Sequence, residues 1–352
     1  MTTDSARIYR FYVLIPMVLR KTSLPLFLFS LCAALAAQET TPEQQPSRDQ
    51  PQTLRAESNV VLVPALVKDG KGGIVYGLQA NDFVIEDDGV EQTVHMDEAA
   101  AAEPVSLVIA IQNGRTASAE FDRIRTLSTM LDLVLGQNQS EAAIVVFDSQ
   151  VSLLRDFTSN AALIHNDLKA LRSGDGGAAI YDAVSFSAGL LNQVPKDRQR
   201  VLLLISETRD HGSIAAVDDV VTLISNSSVA VYALAFSPTT SNVLDDLRGK
   251  LERKGESVDL GEAATKLTVM AIQAMRKNAP REIVRLTGGE YELFKSHHGF
   301  EFHMVDFANH IHNRYLLSFV PRDPHVGLHE IRVRLKDITD ASVLARSNYW
   351  AK

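Results

Sequence analysis

Four uninterrupted apolar runs, separated by segments of helical periodicity, constrain the fold of this chain most strongly. The runs lie at 105–111, 142–147, 201–205 and 228–235. Strands that are apolar on both faces need cover on both faces, which parallel sheets obtain from helical crossovers. The helical segments lie near 119–136, 160–172, 179–193 and 214–226. We therefore predict an α/β fold with a doubly wound, mostly parallel sheet, whose ligand site lies at the carboxyl ends of the strands.

Short strand-like runs flank this region on both sides. They lie at 60–67, 83–86 and 93–96 before it, and at 315–320, 329–335 and 343–350 after it. We expect the early strands to form a small antiparallel unit and the late strands to complete it, so that the α/β domain is inserted in, or flanked by, one small antiparallel β domain. The boundaries that we predict are 54–103 for the first β part, 104–313 for the α/β domain and 314–352 for the completing strands.

The amino-terminal 37 residues have the pattern of an export signal. Four basic residues precede an uncharged, mostly apolar stretch at 22–37 that ends in small residues. This stretch is shorter than the roughly 20 residues that span a membrane. We predict a signal peptide at 1–37 and an exported protein, located in the periplasm, in the cell envelope or outside the cell. The polar segment 38–53 has no large apolar residue and is predicted to be a disordered linker.

Two kinds of membrane attachment remain open. The signal could stay uncleaved as an anchor, or the single cysteine, Cys32, could carry a lipid. Leu31 stands before Cys32 where a lipoprotein needs a small residue, which disfavours lipidation. We therefore expect contact with the membrane only through one of these two anchors, if at all.

Charge and motif content exclude several classes of function. The chain has 43 acidic and 35 basic residues and no basic domain, which argues against a nucleic acid partner. One cysteine excludes a disulfide framework and a cysteine-based zinc site within one chain. The common hydrolase patterns H-E-x-x-H and G-x-S-x-G do not occur. We therefore predict a protein that is not an enzyme, and an envelope hydrolase is the less favoured alternative.

Two further patterns are weak. Residues 174–179 match a loose G-x-G-x-x-A, but they follow a predicted helix rather than a first strand, so we predict a loop without a nucleotide. Five late histidines could suggest zinc or copper. They are His297, His298, His303, His310 and His312. The last two are two positions apart on a helix predicted at 301–313 and should face different sides, and the first two should lie in a loop, so we predict no metal there.

The order of several short motifs resembles the von Willebrand factor A-related (VWFA-related) proteins of bacterial envelopes. The resemblance spans about 57–350, and its pieces are Gly77–Gly89, Val145–Asp148, Gly176–Ala183, Thr287–Gly289 and Ala345–Tyr349. It implies a VWFA-like, Rossmann-type α/β domain. It also implies a protein-interaction or adhesion-type module that binds a protein or an envelope component through the top of this domain.

Many domains of this family hold a divalent cation through an Asp-x-Ser-x-Ser segment, a later Thr and a later Asp. The positions that correspond here are Gln112, Gly114, Thr116, Ala178 and Glu207. Gly114 and Ala178 have no side-chain oxygen, and Gln112 is neutral, whereas Mg²⁺ prefers several hard oxygen ligands. The resemblance therefore implies a degenerate metal-ion-dependent adhesion site, and we predict that no cofactor binds. A site for Mg or Mn rebuilt with Ser118, Asp182 or Asp210 stays open, although helix capping and surface polarity are the favoured roles of these three residues.

Arg115 places a positive charge in the same segment. Two roles remain open for it: a bidentate pair with a partner's carboxylate, or an internal ion pair with Glu207 or Asp210. The predicted binding rim comprises Gln112, Asn113, Gly114, Arg115, Thr116, Ser118, Ala178, Asp182, Glu207 and Asp210. The sequence does not predict an oligomeric state.

Overall fold

The structure, a computed structural model, describes residues 60–97, 103–136, 139–237, 260–322 and 325–351. These residues belong to one unit that spans 56–352. The predicted signal peptide at 1–37 and the predicted linker at 38–53 lie outside the described residues. No helix within the described ranges is long and apolar enough to cross a membrane.

The strands are, in chain order, β1 (Val61–Asp69), β2 (Phe83–Asp87), β3 (Val90–Gln92), β4 (His95–Asp97), β5 (Val105–Gln112), β6 (Glu141–Phe147), β7 (Val151–Thr158), β8 (Gln199–Glu207), β9 (Ala230–Phe236), β10 (Tyr291–Leu293), β11 (Tyr315–Phe319), β12 (Gly327–Leu335), β13 (Ala341–Ala345) and β14 (Asn348–Ala351). The α-helices are α1 (Phe121–Ile124), α2 (Leu127–Leu135), α3 (Ala161–Lys169), α4 (Ile180–Leu191), α5 (Val217–Asn226), α6 (Leu260–Lys277), α7 (Ala279–Thr287) and α8 (His297–Ile311).

A six-stranded sheet in the order β10-β9-β8-β5-β6-β7 forms the centre of the α/β region. Every pair in it is parallel except β6 and β7, which form an antiparallel edge hairpin. All eight residues of β5 are buried. Alternate side chains of β5 enter two separate cores: Ile109 packs in the core that contains residues of α2 and α8, and Val108 in the core that contains residues of α4, α5 and α7. Helices thus pack on both faces of the sheet, which confirms the predicted doubly wound, mostly parallel α/β fold.

Two four-stranded sheets form the β region, in the orders β13-β1-β11-β4 and β14-β12-β2-β3. β1 pairs antiparallel with β11 and β13, and β2 pairs antiparallel with β12. Strands from both sides of the α/β region therefore share each sheet, and their inner faces share one core. The early strands do not form a β unit of their own, because β1 and β2 lie in different sheets and both partners of β1 come from the end of the chain.

Two helices differ from the sequence prediction. The last helix begins at His297, four residues before the predicted start, because the Ser296 side chain accepts a hydrogen bond from the Gly299 backbone N–H at 3.0 Å. His297 and His298 thus form its first turn rather than a loop. Helix α7 was not predicted, although Asn278 caps its start, Pro280 lies in its first turn and Gly288 ends it in the left-handed conformation.

Two glycines at the end of α7 allow close contacts, one with the closing run of the chain and one with β9. Gly288 has a φ of 80°, and a Cβ there would lie 2.3 Å from the Arg346 backbone nitrogen. A Cβ on Gly289 would lie 1.7 Å from the Val231 carbonyl oxygen. Gly288 is therefore required for close packing between the α/β region and the closing run, and Gly289 for close packing between α7 and β9.

Arg346 adds hydrogen bonds between the closing run of the chain and the α/β region. Its buried guanidinium donates to the carbonyl oxygens of Ser225 at 2.6 Å, Ser227 at 3.4 Å and Asn348 at 2.8 Å. Two of these carbonyls lie at the carboxyl end of α5, where a cation is favoured by the helix dipole. Burial lowers the pKa of Arg346 to about 10.

Candidate functional site

The predicted rim lies where β5 and β8 end. These adjacent parallel strands terminate in Gln112 and Glu207, so both side chains reach the same edge of the sheet. Gln112 is completely buried and Glu207 is 6% exposed. The structure therefore brings the two residues together at the carboxyl end of the sheet, where doubly wound folds present their ligand sites.

Gln112 and Glu207 form a reciprocal pair of hydrogen bonds. The Glu207 backbone N–H donates to Gln112 Oε1 at 2.8 Å, which fixes the orientation of the amide group. Gln112 Nε2 then donates to Glu207 Oε1 at 2.6 Å. This second bond is charge-assisted, because its acceptor is a carboxylate.

Two more residues bond to the Glu207 carboxylate. The Thr116 hydroxyl donates to Glu207 Oε1 at 3.4 Å, and His211 Nε2 lies 2.9 Å from the same oxygen. His211 is also joined to Ala178 by two backbone hydrogen bonds, of 2.9 and 3.0 Å. Ala178 therefore lies at the rim but contributes only its backbone. His211 was not among the predicted rim residues, because it comes four residues after Glu207 in a loop, where no periodic signal marks it.

Gly114 provides space rather than a ligand. A Cβ there would lie 2.5 Å from the Gly177 carbonyl oxygen. The neighbouring Arg115 backbone N–H donates to the Asp175 carbonyl oxygen at 2.5 Å. The segment after β5 is thus packed against the loop before α4, and the serine that the family carries at position 114 would not fit without a backbone shift.

The loop before α4 is organised by Asp175, which sequence reasoning missed. Its carboxylate accepts hydrogen bonds from the backbone N–H groups of Ser149 at 3.0 Å and Gly177 at 2.8 Å, and from the Ser149 hydroxyl. The Ser149 hydrogen bond is the main cause that lowers the pKa of Asp175, and the charge of Arg115 also lowers it. Asp175 lies between two glycines, and this pattern, which is typical of turns, could have predicted it.

Arg115 is exposed beside this loop. Among the described residues its guanidinium forms no ion pair, so the internal pair with Glu207 or Asp210 is not present. Asp210 instead accepts hydrogen bonds from the Tyr181 backbone N–H at 3.1 Å and from the Ser213 hydroxyl at 2.5 Å.

Three further predicted rim residues form hydrogen bonds with backbone groups of the surrounding loops. Asp182 accepts from the backbone N–H groups of Ile214 at 2.9 Å and Ala215 at 2.7 Å. The Ser118 hydroxyl donates to the Arg115 carbonyl oxygen at 2.7 Å, and Asn113 Nδ2 lies 3.4 Å from the Arg172 carbonyl oxygen. The Asp182 carboxylate and the Ser118 hydroxyl are thus used in these local bonds, whereas Asn113 Oδ1 is buried and has no hydrogen-bond partner among the described residues.

The rim residues do not fit a divalent cation. Mg²⁺ needs a near-octahedral set of oxygen ligands. The side-chain oxygen of Gln112 is held by the Glu207 N–H, and its amide N–H group, not an oxygen, faces the Glu207 carboxylate. Gly114 has no room for a side chain, and Ala178 offers no side-chain oxygen. The Gln112 amide thus occupies the place at Glu207 that a cation would need.

A second polar cluster lies inside the β region. His329 is almost completely buried, with Nδ1 at 3.1 Å from Asp87 Oδ1 and 2.9 Å from Asp88 Oδ2, and Nε2 at 2.7 Å from the His325 carbonyl oxygen. The Tyr349 hydroxyl donates to Asp87 Oδ2 at 2.9 Å. Burial alone would lower the pKa of His329, but its hydrogen bonds to the two aspartates raise it to about 10.

His325, His329 and Asp88 are close enough to share a metal ion. Both ring nitrogens of His329 nevertheless face oxygen acceptors, which requires a proton on each nitrogen and leaves no lone pair for a metal. The cluster is therefore a buried imidazolium paired with two carboxylates. It joins β2 to β12, and it explains the turn aspartates and the closing tyrosine of the sequence motifs.

The late histidines do not converge on one point. His310 is buried and its Nδ1 lies 2.6 Å from Glu290, whereas His303 lies 3.8 Å from Glu292 and His297 lies 3.5 Å from Glu301. In the part of the chain that the structure describes, these residues do not form a metal-binding group.

Comparison with known proteins agrees with this fold. The family model of the von Willebrand factor type A domain matches residues 110–213. A search of curated proteins gives no match. Similar solved structures include a von Willebrand factor type A protein from Catenulispora acidiphila, with 9% identity over 84% of this chain and 75% of that chain and a TM-score of 0.42. An aerotolerance-related membrane protein from Bacteroides fragilis has 16% identity over 58% of this chain and 98% of that chain, with a TM-score of 0.39.

A further similar structure is proximal thread matrix protein 1 from the mussel byssus, solved with a zinc-occupied metal-ion-dependent adhesion site. It has 14% identity over 69% of this chain and 51% of that chain, with a TM-score of 0.42. The family match covers β5 from Ala110, the rim loops and β8 through Glu207 to the loop that contains His211. Residues 110–213 are therefore similar to the von Willebrand factor type A domain, and they include both strand ends that form the rim.

Proposed function

We propose that this protein is an exported, non-catalytic interaction module of the adhesion type. It binds another protein or a cell-envelope component through the rim at the carboxyl ends of β5 and β8, and it does so without a metal ion. The export part of the proposal depends on the signal-peptide pattern of residues 1–37.

The observation that carries the proposal is an exposed arginine beside an internally bonded carboxylate. Glu207 accepts hydrogen bonds from Gln112 and Thr116 and contacts His211, whereas the Arg115 guanidinium has no ion-pair partner among the described residues. In metal-dependent relatives a cation at this edge attracts a carboxylate of the partner. Here a guanidinium fixed to the rim would supply the positive charge and a bidentate hydrogen-bonding geometry.

The contacts of the rim also favour binding over catalysis. His211 bonds to Glu207 rather than to a hydroxyl or thiol, so these contacts do not supply the nucleophile–base pair that hydrolases with a covalent intermediate use. The Thr116 hydroxyl donates to Glu207 at 3.4 Å rather than to a histidine.

A capture experiment with variants of the full chain tests this function. Wild type, Arg115→Ala and the control Arg332→Ala would be immobilised in chelator and exposed to an envelope extract of the source organism. Arg332 is a suitable control because its side chain is 67% exposed and lies in the β region, away from the rim. Bound proteins would be quantified by mass spectrometry, and the melting temperature of each variant would be measured separately.

We expect a defined partner to be retained by wild type and by Arg332→Ala, and to be lost or strongly reduced with Arg115→Ala. The melting temperature should change little in either variant, because Arg115 forms no ion pair with a described residue and the two ion pairs of Arg332, with Glu86 and Glu330, are long and involve a well-exposed arginine. A partner that needs added divalent cation, or one that binds Arg115→Ala as well as wild type, would show that the proposed mode of binding is wrong.

A further inference from the structure

Most arginine side chains in the described part of the chain have a hydrogen bond, an ion pair or a ring contact within the protein. The described arginines without such a contact, all of them exposed, are Arg115, Arg172, Arg209 and Arg276. The first three lie in the loops that form the rim. The rim thus carries arginines that the protein itself does not pair, although the chain has more acidic than basic residues.

Backbone hydrogen bonds hold the loops of these three arginines side by side. The Gly174 N–H donates to the Asn113 carbonyl oxygen at 2.7 Å, and these two residues lie two positions from Arg172 and Arg115. Two more backbone bonds join the loop before α4 to the loop after β8, which carries Arg209. The three arginines therefore belong to one surface at the carboxyl ends of the strands.

The acidic residues of the rim are bonded to other groups of the protein. Asp175, Asp182 and Asp210 accept hydrogen bonds from backbone N–H groups, and Glu207 accepts one from the Gln112 amide. These carboxylates keep their negative charge but do not form ion pairs with the arginines. They would repel a uniformly charged polyanion, whereas a ligand with a few separate acid groups can place each group at an arginine.

An exposed isoleucine lies in the same surface. Ile214 is 94% exposed, more than any other large apolar residue that the structure describes. Its backbone is fixed, because Asp182 accepts hydrogen bonds from the N–H groups of Ile214 and Ala215, and the Ser213 hydroxyl donates to Asp210. A partner that covers this side chain would gain apolar burial at a small cost in ordering the loop.

The combination of arginines and an isoleucine favours a protein segment as the partner. Acidic polysaccharides and phosphate polymers provide anions but no aliphatic side chain to cover Ile214. An anionic membrane provides both, but its continuous negative charge would face the four carboxylates of the rim. A peptide segment provides separate carboxylates, which form bidentate bonds with guanidinium groups, and an aliphatic side chain next to them.

We propose that the rim binds an acidic segment of a partner protein, in which at least two Asp or Glu residues and one aliphatic residue make the contacts. Separate carboxylates would pair with Arg115, Arg172 or Arg209, and the aliphatic side chain would pack on Ile214. This inference rests on the proposed function, to which it adds the chemistry of the partner and three further contact residues.

A peptide array tests the proposal with the full chain in chelator. Short peptides on a serine–glycine background would carry two aspartates and one leucine in every arrangement. The best binder would be measured by fluorescence anisotropy, beside matched peptides with asparagine for aspartate or serine for leucine. Polygalacturonate, polyphosphate and phosphatidylglycerol vesicles would be tested as competitors.

Each variant changes one feature of the surface, and each has a matched control. The variants are Arg115→Ala, the double variant Arg172→Gln with Arg209→Gln, and Ile214→Ser. The controls are Arg332→Gln and Val326→Ser, which replace an arginine that is 67% exposed and a valine that is 73% exposed in the β region. Circular dichroism melting would show that every variant is folded.

We expect wild type and both controls to bind a subset of the peptides with equal affinity. The matched peptide without leucine, and Ile214→Ser with the best peptide, should each lose about tenfold or more in affinity, as the loss of a buried aliphatic contact predicts. The double arginine variant should lose about threefold or more, and added salt should weaken binding by wild type.

Four results would overturn the proposal: no arrangement binds above the serine–glycine background, the asparagine or serine peptides bind as well as the best peptide, the folded double arginine variant or Ile214→Ser binds as well as wild type, or a competitor binds more tightly than every peptide. Loss of binding in Arg115→Ala alone would leave the proposed function in place and reject this inference. Loss in the other two variants but not in Arg115→Ala would do the reverse.

Discussion

Removal of the Gln112 side chain should destabilise the fold, and most of the effect should depend on Glu207. Gln112 is fully buried and donates to the Glu207 carboxylate at 2.6 Å. A hydrogen bond to a charged group contributes about 1.5–3 kcal/mol, and a buried N–H left without a partner costs about 1–3 kcal/mol. Gln112→Ala removes the hydrogen bond to the Glu207 carboxylate and also leaves the Glu207 backbone N–H without its acceptor. We therefore expect a loss of about 3–5 kcal/mol.

A double-mutant cycle separates these two contributions. Urea unfolding would be followed for wild type, Gln112→Ala, Glu207→Ala and the double variant. Since Glu207→Ala keeps the backbone N–H, the coupling energy reports only the contact between Nε2 and Oε1. We expect a coupling of about 1.5–3 kcal/mol. Gln193→Ala is the control, because Gln193 is an exposed glutamine whose amide donates only to the Gly189 carbonyl oxygen at 3.3 Å; its effect should stay within about 0.5 kcal/mol.

Additive effects of Gln112→Ala and Glu207→Ala would refute this reasoning. Additivity within about 0.5 kcal/mol means that two sites do not interact. The Gln112 amide would then not hold the Glu207 carboxylate, and the argument that it takes the place of a cation would fail.

Three further predictions concern the contacts that support the rim and the β region. Gly288→Ala should lower the free energy of unfolding in urea by more than about 1–2 kcal/mol, because φ is 80° and the new Cβ would lie 2.3 Å from the Arg346 backbone nitrogen. The control Gly189→Ala has no atom near the new Cβ and should be neutral or stabilising. The pKa of His329 is raised from 6.5 to about 10, so the protonated histidine should stabilise the fold fully below about pH 6.5 and lose this effect as the pH rises through about 10. The difference in unfolding free energy between wild type and His329→Gln should therefore decline over that pH window. A difference that stays constant with pH would contradict the imidazolium assignment. Asp182→Ala should cost about 1–2 kcal/mol in thermal unfolding, because it removes the acceptor of two backbone N–H groups, while Asp182→Asn should retain part of it; equal losses for both would contradict this role.

The sequence predicted the central sheet well because the signal there is local. Each inner strand is a continuous apolar run, as in β5, where all residues are buried. Such a run has few alternatives to a parallel strand covered by helices. The hairpin of β6 and β7 was equally accessible, because a short polar turn separates the two strands.

The β region was harder to predict because its pairing is non-local. β1 pairs with β13 through residues such as Ala65 and Ala345, which are far apart in the chain. Periodicity shows that a strand exists but not which partner it takes. The expectation that the early strands form a unit among themselves was therefore wrong, whereas the late strands do pair with the early ones in an antiparallel β domain, as predicted.

The rim shows the same division between local and non-local information. The position of Gln112 and Glu207 at strand ends follows from the strands themselves. The contact of His211 with Glu207 and the bonds of Asp175 to Ser149 depend on how three loops fold over one another. Loop conformations of this kind have no periodic signal, so these residues were absent from the predicted set. The role of Gly114 likewise becomes visible only when the opposing Gly177 carbonyl oxygen is placed.

Thermal unfolding of the full chain in chelator, and then in millimolar Mg²⁺, Mn²⁺ or Ca²⁺, tests the central claim most directly. A cation present at about 100 times its dissociation constant would stabilise the folded state by about 2.7 kcal/mol, which is a rise of several degrees for a protein of this size. Because the Gln112 amide group already faces the Glu207 carboxylate, we predict no change in melting temperature with any of the three ions. A clear rise that disappears in Glu207→Ala would contradict the account and would mean that the rim holds a cation.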